Sequence, residues 1–527
     1  MKKIAIYISV LLVLGACNKN ILDRGPLDKY SDQNVWKDMA LINMFVANIY
    51  ANMKTTYDEA KGGSWMMANI TDEAISSRTF HSARQINTLQ YNESDDLYAD
   101  VWTNGFRNIR KCNLLLSKIP EISATAEVKR QLKGEGHFLR AFTYLDIYMH
   151  FGRFPITDKV LTLEDETAIP RGTEADCIKF ILADLDSAGV LLPEKYGPTD
   201  IGRATSWAAL AIKSRFLLNL ERYQEAADSS LAVINSKKYA LFPDYQTLFN
   251  PENDNNSEII FDKQYGSAIS KQIHDVDTYE SSTFFTGFSS AITCPTQNLV
   301  DAFEMKDGKP WDKSADYNPE KPYENRDPRF YATVMYDGIS WMGEKVDMKK
   351  GSKFNRATGS GSSPTGYFLR KFLNPKYDHK NTNSIPNYQN CAIIRLAEVY
   401  LIYAEAQFKL GHAEEARKYV NLVRQRVNMP DIEMTNFSFN SIMHERQVEL
   451  AMEGQRWYDI RRWKKGQELI GAKIYGVDIQ DDANGRNYVR MEVEQRKFED
   501  KMYWFPVPLS ERQKYPASNP LEQNQGW

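Results

Sequence analysis

The chain has no apolar run long enough to cross a membrane. A spanning helix needs about 20 apolar residues, whereas the run from Ile4 to Leu14 has eleven, broken by Ser9. There is no CxxC pair: Cys17, Cys112, Cys177, Cys294 and Cys391 stand far apart. That spacing supports neither a zinc ribbon nor a disulfide framework, and a core this large needs no staples. The last four cysteines are expected as free buried thiols. Histidine is scarce at seven, and no His/Cys/Asp group has ligand spacing. The sequence has no GxSxG elbow, no P-loop and no GxGxxG after a strand. No cofactor and no catalytic motif is therefore expected. Charge of one sign is also missing. The formal net charge is −3, and without Lys2 and Lys3 the balance is 64 basic against 69 acidic residues, hence −5. Such a chain has no electrostatic reason to bind nucleic acid.

What is present is ordinary globular composition, 42% hydrophobic and 26% charged, with room for one large or two average domains. Aromatics reach 12%, which suits sugar stacking and suits a helical core equally well. The start reads as a leader. Lys2 and Lys3 precede the short apolar run, and Leu14-Gly15-Ala16-Cys17 has the form of a lipobox. On this reading residues 1–16 are removed and Cys17 carries the lipid. Each buried methylene of its acyl chains adds about 0.8 kcal/mol of membrane affinity. The alternative is an ordinary cleavage site beside a chance cysteine.

Two blocks, about 31–240 and 391–465, carry helical periodicity. Val35, Met39, Ile42, Val46, Ile49 and Met53 recur at steps of four and three, with Ser31 or Asp32 as a cap. Trp102, Phe106, Ile109 and Leu116 mark a second helix, and a third runs from Val128 to His150. Ala204 to Asn235 reads as a helix pair turning near Leu220-Glu221-Arg222-Tyr223. The pattern returns 190 residues later, where Leu410-Gly411-His412 follows the stripe Leu396, Val399, Tyr403, Ala406. Small residues at these steps let helices approach closely, as in tetratricopeptide-like repeats. The expected fold is therefore mainly α. Between the blocks, from about 242 to 390, Gly, Ser, Asn, Asp and Pro rise and the periodicity fades. Loops held on a rigid frame usually carry recognition, so this insert and the stretch Thr55 to Asp100 are where a ligand is expected. Residues 466–527 form a C-terminal segment.

Glu445, Glu449 and Glu453 stand at steps of four, which places them on one face of a helix that would also contain Gly454. Arg446, Arg456, Arg461 and Arg462 are near in sequence and are expected to neutralise them. Carboxylates held by arginines make poor general acids, so a structural ion network is the reading. His444-Glu445 is followed by Val448 where a zinc helix would need its second His. Asp327-Pro328-Arg329 reads as a turn.

A series of motifs runs along the chain: Ile21-Leu22-Asp23 and Pro26-Leu27-Asp28, Glu135 to Ile156 with its FLRA core, Gly202-Arg203-Ala204-Thr205, Asn325 to Phe330, Ile394 to Ala406, Glu445 to Trp463, Tyr503 to Pro508, Asn519-Pro520, and Gln523 to Trp527. Together they resemble the SusD/RagB family. The common order of these motifs carries the resemblance. It implies a frame of tetratricopeptide-like helix pairs with a ligand-facing irregular part, in one SusD-like domain over 17–527. It also implies a lipoprotein on the outer face of the outer membrane that captures nutrient oligomers without catalysis. A SusC-like TonB-dependent transporter would be its partner. The cargo expected is glycan, with peptide as the alternative in the RagB-like branch; a surface glycoside hydrolase and a ligand-free scaffold are weaker readings. A neutral oligosaccharide needs flat apolar faces for its C–H surfaces, rimmed by polar groups for its hydroxyls. The candidates are Trp65, Arg78, Phe80, Tyr279, Phe284, Phe285 and Trp341, each of which core packing would explain as well. Trp457, Trp463 and Trp504 lie inside motifs and are expected in the core.

Overall fold

The computed structural model describes residues 35–527, apart from 60–65, 80–81, 96–97, 163, 166–167, 267–273, 288–290, 360, 377–387 and 484. No helix among the described residues is long and apolar enough to cross a membrane. Cys17, Trp65, Phe80 and the proposed caps Ser31 and Asp32 lie outside the described residues.

The first half of the frame is α1 (Met39–Ala51), α2 (Ala99–Lys118), α3 (Ala126–Phe151), α4 (Glu174–Leu191), α5 (Ser206–Asn219) and α6 (Tyr223–Asn235). Their starts are set by side chains that satisfy the free amides of a first turn. Asp38 accepts from Ala40 N, Thr125 from Val128 N, Thr173 from Asp176 N and Thr205 from Ala208 N. Gly152, at φ +72°, ends α3 and donates to Tyr148 O. The loop part that follows holds short elements: α7 (Val276–Glu280), α8 (Thr283–Thr286) and α9 (Pro328–Thr333). The frame resumes with α10 (Leu396–Lys409), α11 (Ala413–Arg426), α12 (Phe439–Glu449) and α13 (Arg456–Arg462). Helices pack as neighbours, α2 with α3, α3 with α4, α5 with α6 and α10 with α11, and α6 lies against α10 across the sequence gap. The contact faces are built of Ala208, Ala211, Ala226, Ala227, Ala397 and Ala404, all buried. Without long side chains between them the helix axes come close, which is the tetratricopeptide-like arrangement the repeat pattern predicts.

The strands form two-stranded pairs. β1 (Ala74–Ser76) pairs with β3 (Thr293–Pro295), and β2 (Ile259–Lys263) with β8 (Cys391–Arg395). β4 (Val334–Met335) pairs with β7 (Phe368–Leu369), and β5 (Ser340–Trp341) with β6 (Glu344–Lys345). A long ribbon, β9 (Lys473–Asp482) with β10 (Gly485–Gln495), occupies the C-terminal segment. Gly476 is required there, because a Cβ would lie 2.6 Å from the backbone of Thr365. The helical frame surrounds one apolar core, and the loop part closes over a second that includes Phe330, Trp341, Phe354 and Phe368. Cys112, Cys177, Cys294 and Cys391 are free and buried, as expected.

A buried ion network joins the two parts, but its partners differ from the sequence reading. α12 ends at Glu449, so Glu453 and Gly454 lie in a turn, and Gly454 sits at φ +77°. Arg329, wholly buried at the start of α9, touches Glu445 and lies 3.1 Å from Glu449 and 2.7 Å from Asp327. Arg395 reaches Glu258, Glu449 and Glu453, each at 2.6 Å. Arg424 and Arg426 on α11 complete the shell around Glu445 and Glu449. The nearby arginines go elsewhere: Arg446 to Asp459, Arg456 to Asp72, Arg462 to Glu405 and Arg461 to the carbonyl of Met149. Burial alone would raise the Glu449 carboxyl, but Arg426, Arg395 and Arg329 hold it well below the usual range. A proton is correspondingly hard to place there, which removes Glu449 as a general acid. Asp327 caps α9 by accepting from Arg329 N, and Pro328 fills the first helical position, which needs no amide.

Candidate functional site

The β1–β3 pair gathers several of the predicted binding residues. Ile75 lies opposite Cys294, and Ser77 N donates to Ile292 O at 2.8 Å. Arg78 follows directly, while α7 and α8 approach from the other side. Glu280, fully buried, accepts from Thr293 N at 2.7 Å and from Thr293 Oγ1 at 3.0 Å. Burial pushes its carboxyl up to about 7, against the pull of Thr293 and of the Arg78 charge. Tyr279 adjoins Glu280 in α7, and the Arg78 charge bears on that carboxyl.

Phe284 is half-buried at the start of α8, which Ser282 caps. Its ring meets Phe285 at 5.1 Å and Phe354 at 4.6 Å, both edge-on. The Lys353 ammonium stands 4.8 Å from the Phe284 and Phe354 ring centres and donates to Glu344 at 2.7 Å. Ser282 Oγ bonds Phe354 O at 2.8 Å, which bolts the two segments together. An aromatic face beside an ammonium and a carboxylate has the two components a sugar ring needs. Tyr279 is half-buried on the frame core. Phe285 and Trp341, however, are each 5% exposed and serve as core. Trp341 packs beneath Arg370, whose guanidinium lies 5.4 Å from its ring centre. Trp457 is buried as expected, whereas Trp463 and Trp504 are half-buried.

A cavity of about 400 Å³ lies elsewhere, lined by residues of the two frame blocks. α3 lines it with Phe142, Leu145, Asp146, Met149 and His150, and α5 with Ile212, Arg215, Phe216 and Asn219. Both sets follow the three-and-four spacing of one helix face. Lys54, Thr55, Thr56, Asp58, Glu59, Tyr98, Cys391 to Ile393 and Tyr458 close it. Lys54 is paired with Asp100, both partly exposed. Asp146 lies 3.3 Å from His150 Nδ1, and that nitrogen is 2.8 Å from the Asp146 carbonyl. Glu59 accepts Met67 N at 3.0 Å. Burial raises its carboxyl to about 7, opposed by the Met67 amide, His150 and Lys54. Burial would lower the His150 imidazole, but Asp146 and Glu59 raise it overall. Sequence reading missed this cluster. The available signal was a polar pair, Asp146 and His150, inside the otherwise apolar stripe of the FLRA helix.

Comparison with known proteins follows the same division. Residues 257–527 match the SusD family profile, and residues 26–218 match one described as starch-binding associating with outer membrane. The chain belongs to the SusD family. A SusD-like protein from Bacteroides fragilis superposes with a TM-score of 0.83 at 32% identity, covering 96% of this chain and all of the other. A SusD-like carbohydrate binding protein from the same organism gives 0.81 at 26% identity, covering 92% and 99%. Among sequence relatives, a SusD-like protein of Formosa agariphila is 25% identical over 93% of this chain and 96% of its own length.

Proposed function

We propose that the chain captures glycan oligomers at the cell surface, without chemical change, and hands them to a SusC-like TonB-dependent transporter while anchored through lipid at Cys17. The observation that carries this reading is the match over nearly the whole chain to a protein named as carbohydrate binding. The surface at Phe284, with Lys353 and Glu344 beside it, supplies the apolar face and polar rim for the cargo. A non-catalytic role is supported by Glu445, Glu449 and Glu453, which are consumed by cations. Outer-membrane placement agrees with the family description of the N-terminal half.

The test is a binding screen of the purified full-length chain in detergent, by affinity electrophoresis in polysaccharide gels and by titration with peptides. Retardation by one polysaccharide class, with no change in its chain length, is the expected result. Shortened polysaccharide would make the protein an enzyme. Binding of peptides alone would keep the capture role and change the cargo.

A further inference from the structure

Among the described residues, the charges around the large cavity do not balance. Asp58 is held by Lys263, Arg215 by Glu398, and Glu453 by Arg395 and Lys371. What remains inside is Lys54 with Asp100, His150 with Asp146, and Glu59. That is three carboxylates against two cations, even with His150 protonated. Glu59 takes one backbone amide through Oε2, and no side-chain donor faces its Oε1 among the described residues. The Tyr458 hydroxyl likewise has no hydrogen-bond partner there, and Asp146 and Glu59 both bear on it. Apolar walls come from Phe142, Phe216 and Met149.

A pocket of 300–1,000 Å³ is the usual size for a small-molecule site, and buried charges are as a rule paired. We infer that this cavity binds a small ligand carrying a primary ammonium group, with Glu59 and Asp146 accepting its N–H donors and the aromatic walls holding its carbon body. The ammonium completes the charge balance, and rings beside it add cation–π attraction. Burial raises the Glu59 carboxyl, and the Met67 amide, His150 and Lys54 offset this only in part. Docking an ammonium favours the ionised form, so binding expels a proton. Two sources offer this chemistry, an amino sugar and a peptide amine. This site is separate from the Phe284 surface, and its variants leave that surface intact.

The experiment is calorimetric titration of the full-length chain in detergent at about pH 6.5, with glucosamine, N-acetylglucosamine and glycyl-lysine as probes. At least one amine should bind about tenfold or more tighter than the uncharged N-acetylglucosamine, as expected for a hydrogen bond between charged groups. The binding heat should differ between buffers of different ionisation enthalpy in the sense of proton release. Glu59→Gln should remove both the preference and the proton release, and Asp146→Asn should weaken the amine about tenfold. Thermal melts check that both variants fold; should Glu59→Gln not fold, Asp146→Asn and the wild-type proton release decide. Glucosamine alone binding assigns an amino sugar, the dipeptide alone assigns a peptide amine, and both support the shared chemistry. Equal affinity for glucosamine and N-acetylglucosamine, no amine binding, or amine binding that neither substitution changes would overturn the inference.

Discussion

Replacing Arg329 with Met tests whether the buried ion network holds the frame and the loop part together. The guanidinium is fully buried and serves three carboxylates at once, Asp327 at 2.7 Å, Glu449 at 3.1 Å and Glu445 in direct contact. After substitution Glu445 keeps Arg424, and Glu449 keeps Arg395 and Arg426. Asp327 keeps only the backbone amide of residue 329. The variant therefore buries one carboxylate with no cation and weakens two more. Breaking a buried pair from one side costs about 3–5 kcal/mol. Methionine fills much of the same volume, so packing loss adds little. The assay is urea unfolding, compared with wild type and with Lys118→Met. Lys118 pairs with Glu121 at 3.0 Å on the surface, where a pair is worth about 0–1 kcal/mol. Arg329→Met should lose at least about 3 kcal/mol more than the surface control. Loop-part signals should unfold before the helical signal, since Arg329 belongs to α9 and Glu445 and Glu449 to α12. If the two variants unfold within about 1 kcal/mol of each other, the network is not what fastens the parts.

Stability should also fall as pH rises from about 5 to 8. Burial pushes Glu59 and Glu280 up to about 7, Glu73 to about 8, Asp254 to about 7 and Asp262 to about 6. A carboxyl raised in the folded state contributes fully below its unfolded value and loses that contribution as pH passes the folded value. His274, lowered to about 4 by burial, acts in the opposite sense between there and 6.5, and five carboxyls outweigh it. A melting temperature that rises over this range in differential scanning calorimetry would contradict the assignment. Phe284→Ala should weaken polysaccharide retention about tenfold while the melt stays close to wild type. Trp341→Ala should instead cost about 3–5 kcal/mol of stability in urea, as a large buried side chain does. Cys17→Ala should move the protein from the membrane pellet to the soluble fraction, and unchanged fractionation would remove the lipid anchor.

The helices were legible because their causes are local. Alanines at helical steps and the turn at Leu220 to Tyr223 act within one or two turns of chain. The loop part was legible only as a change of composition, and its second core was not, since Trp341 and Phe285 look in sequence like any other loop aromatic. Their burial depends on Arg370, Phe354 and the β5–β6 hairpin, which come from other segments. The ion network shows the same limit in a sharper form. Sequence proximity offered Arg446, Arg456, Arg461 and Arg462 to the glutamates, yet the fold supplies Arg329, Arg395, Arg424 and Arg426. A charge buried between two bodies must be met by groups from both, so its partners are distant by construction. The same reasoning separates the two candidate sites. The Phe284 surface is centred on one aromatic that sequence reading singled out, and Lys353, Glu344 and Phe354 beside it were not. The cavity brings together Glu59, Asp146 and His150, unremarkable singly, and it acquires chemical meaning only because, among the described residues, no cation pairs with Glu59.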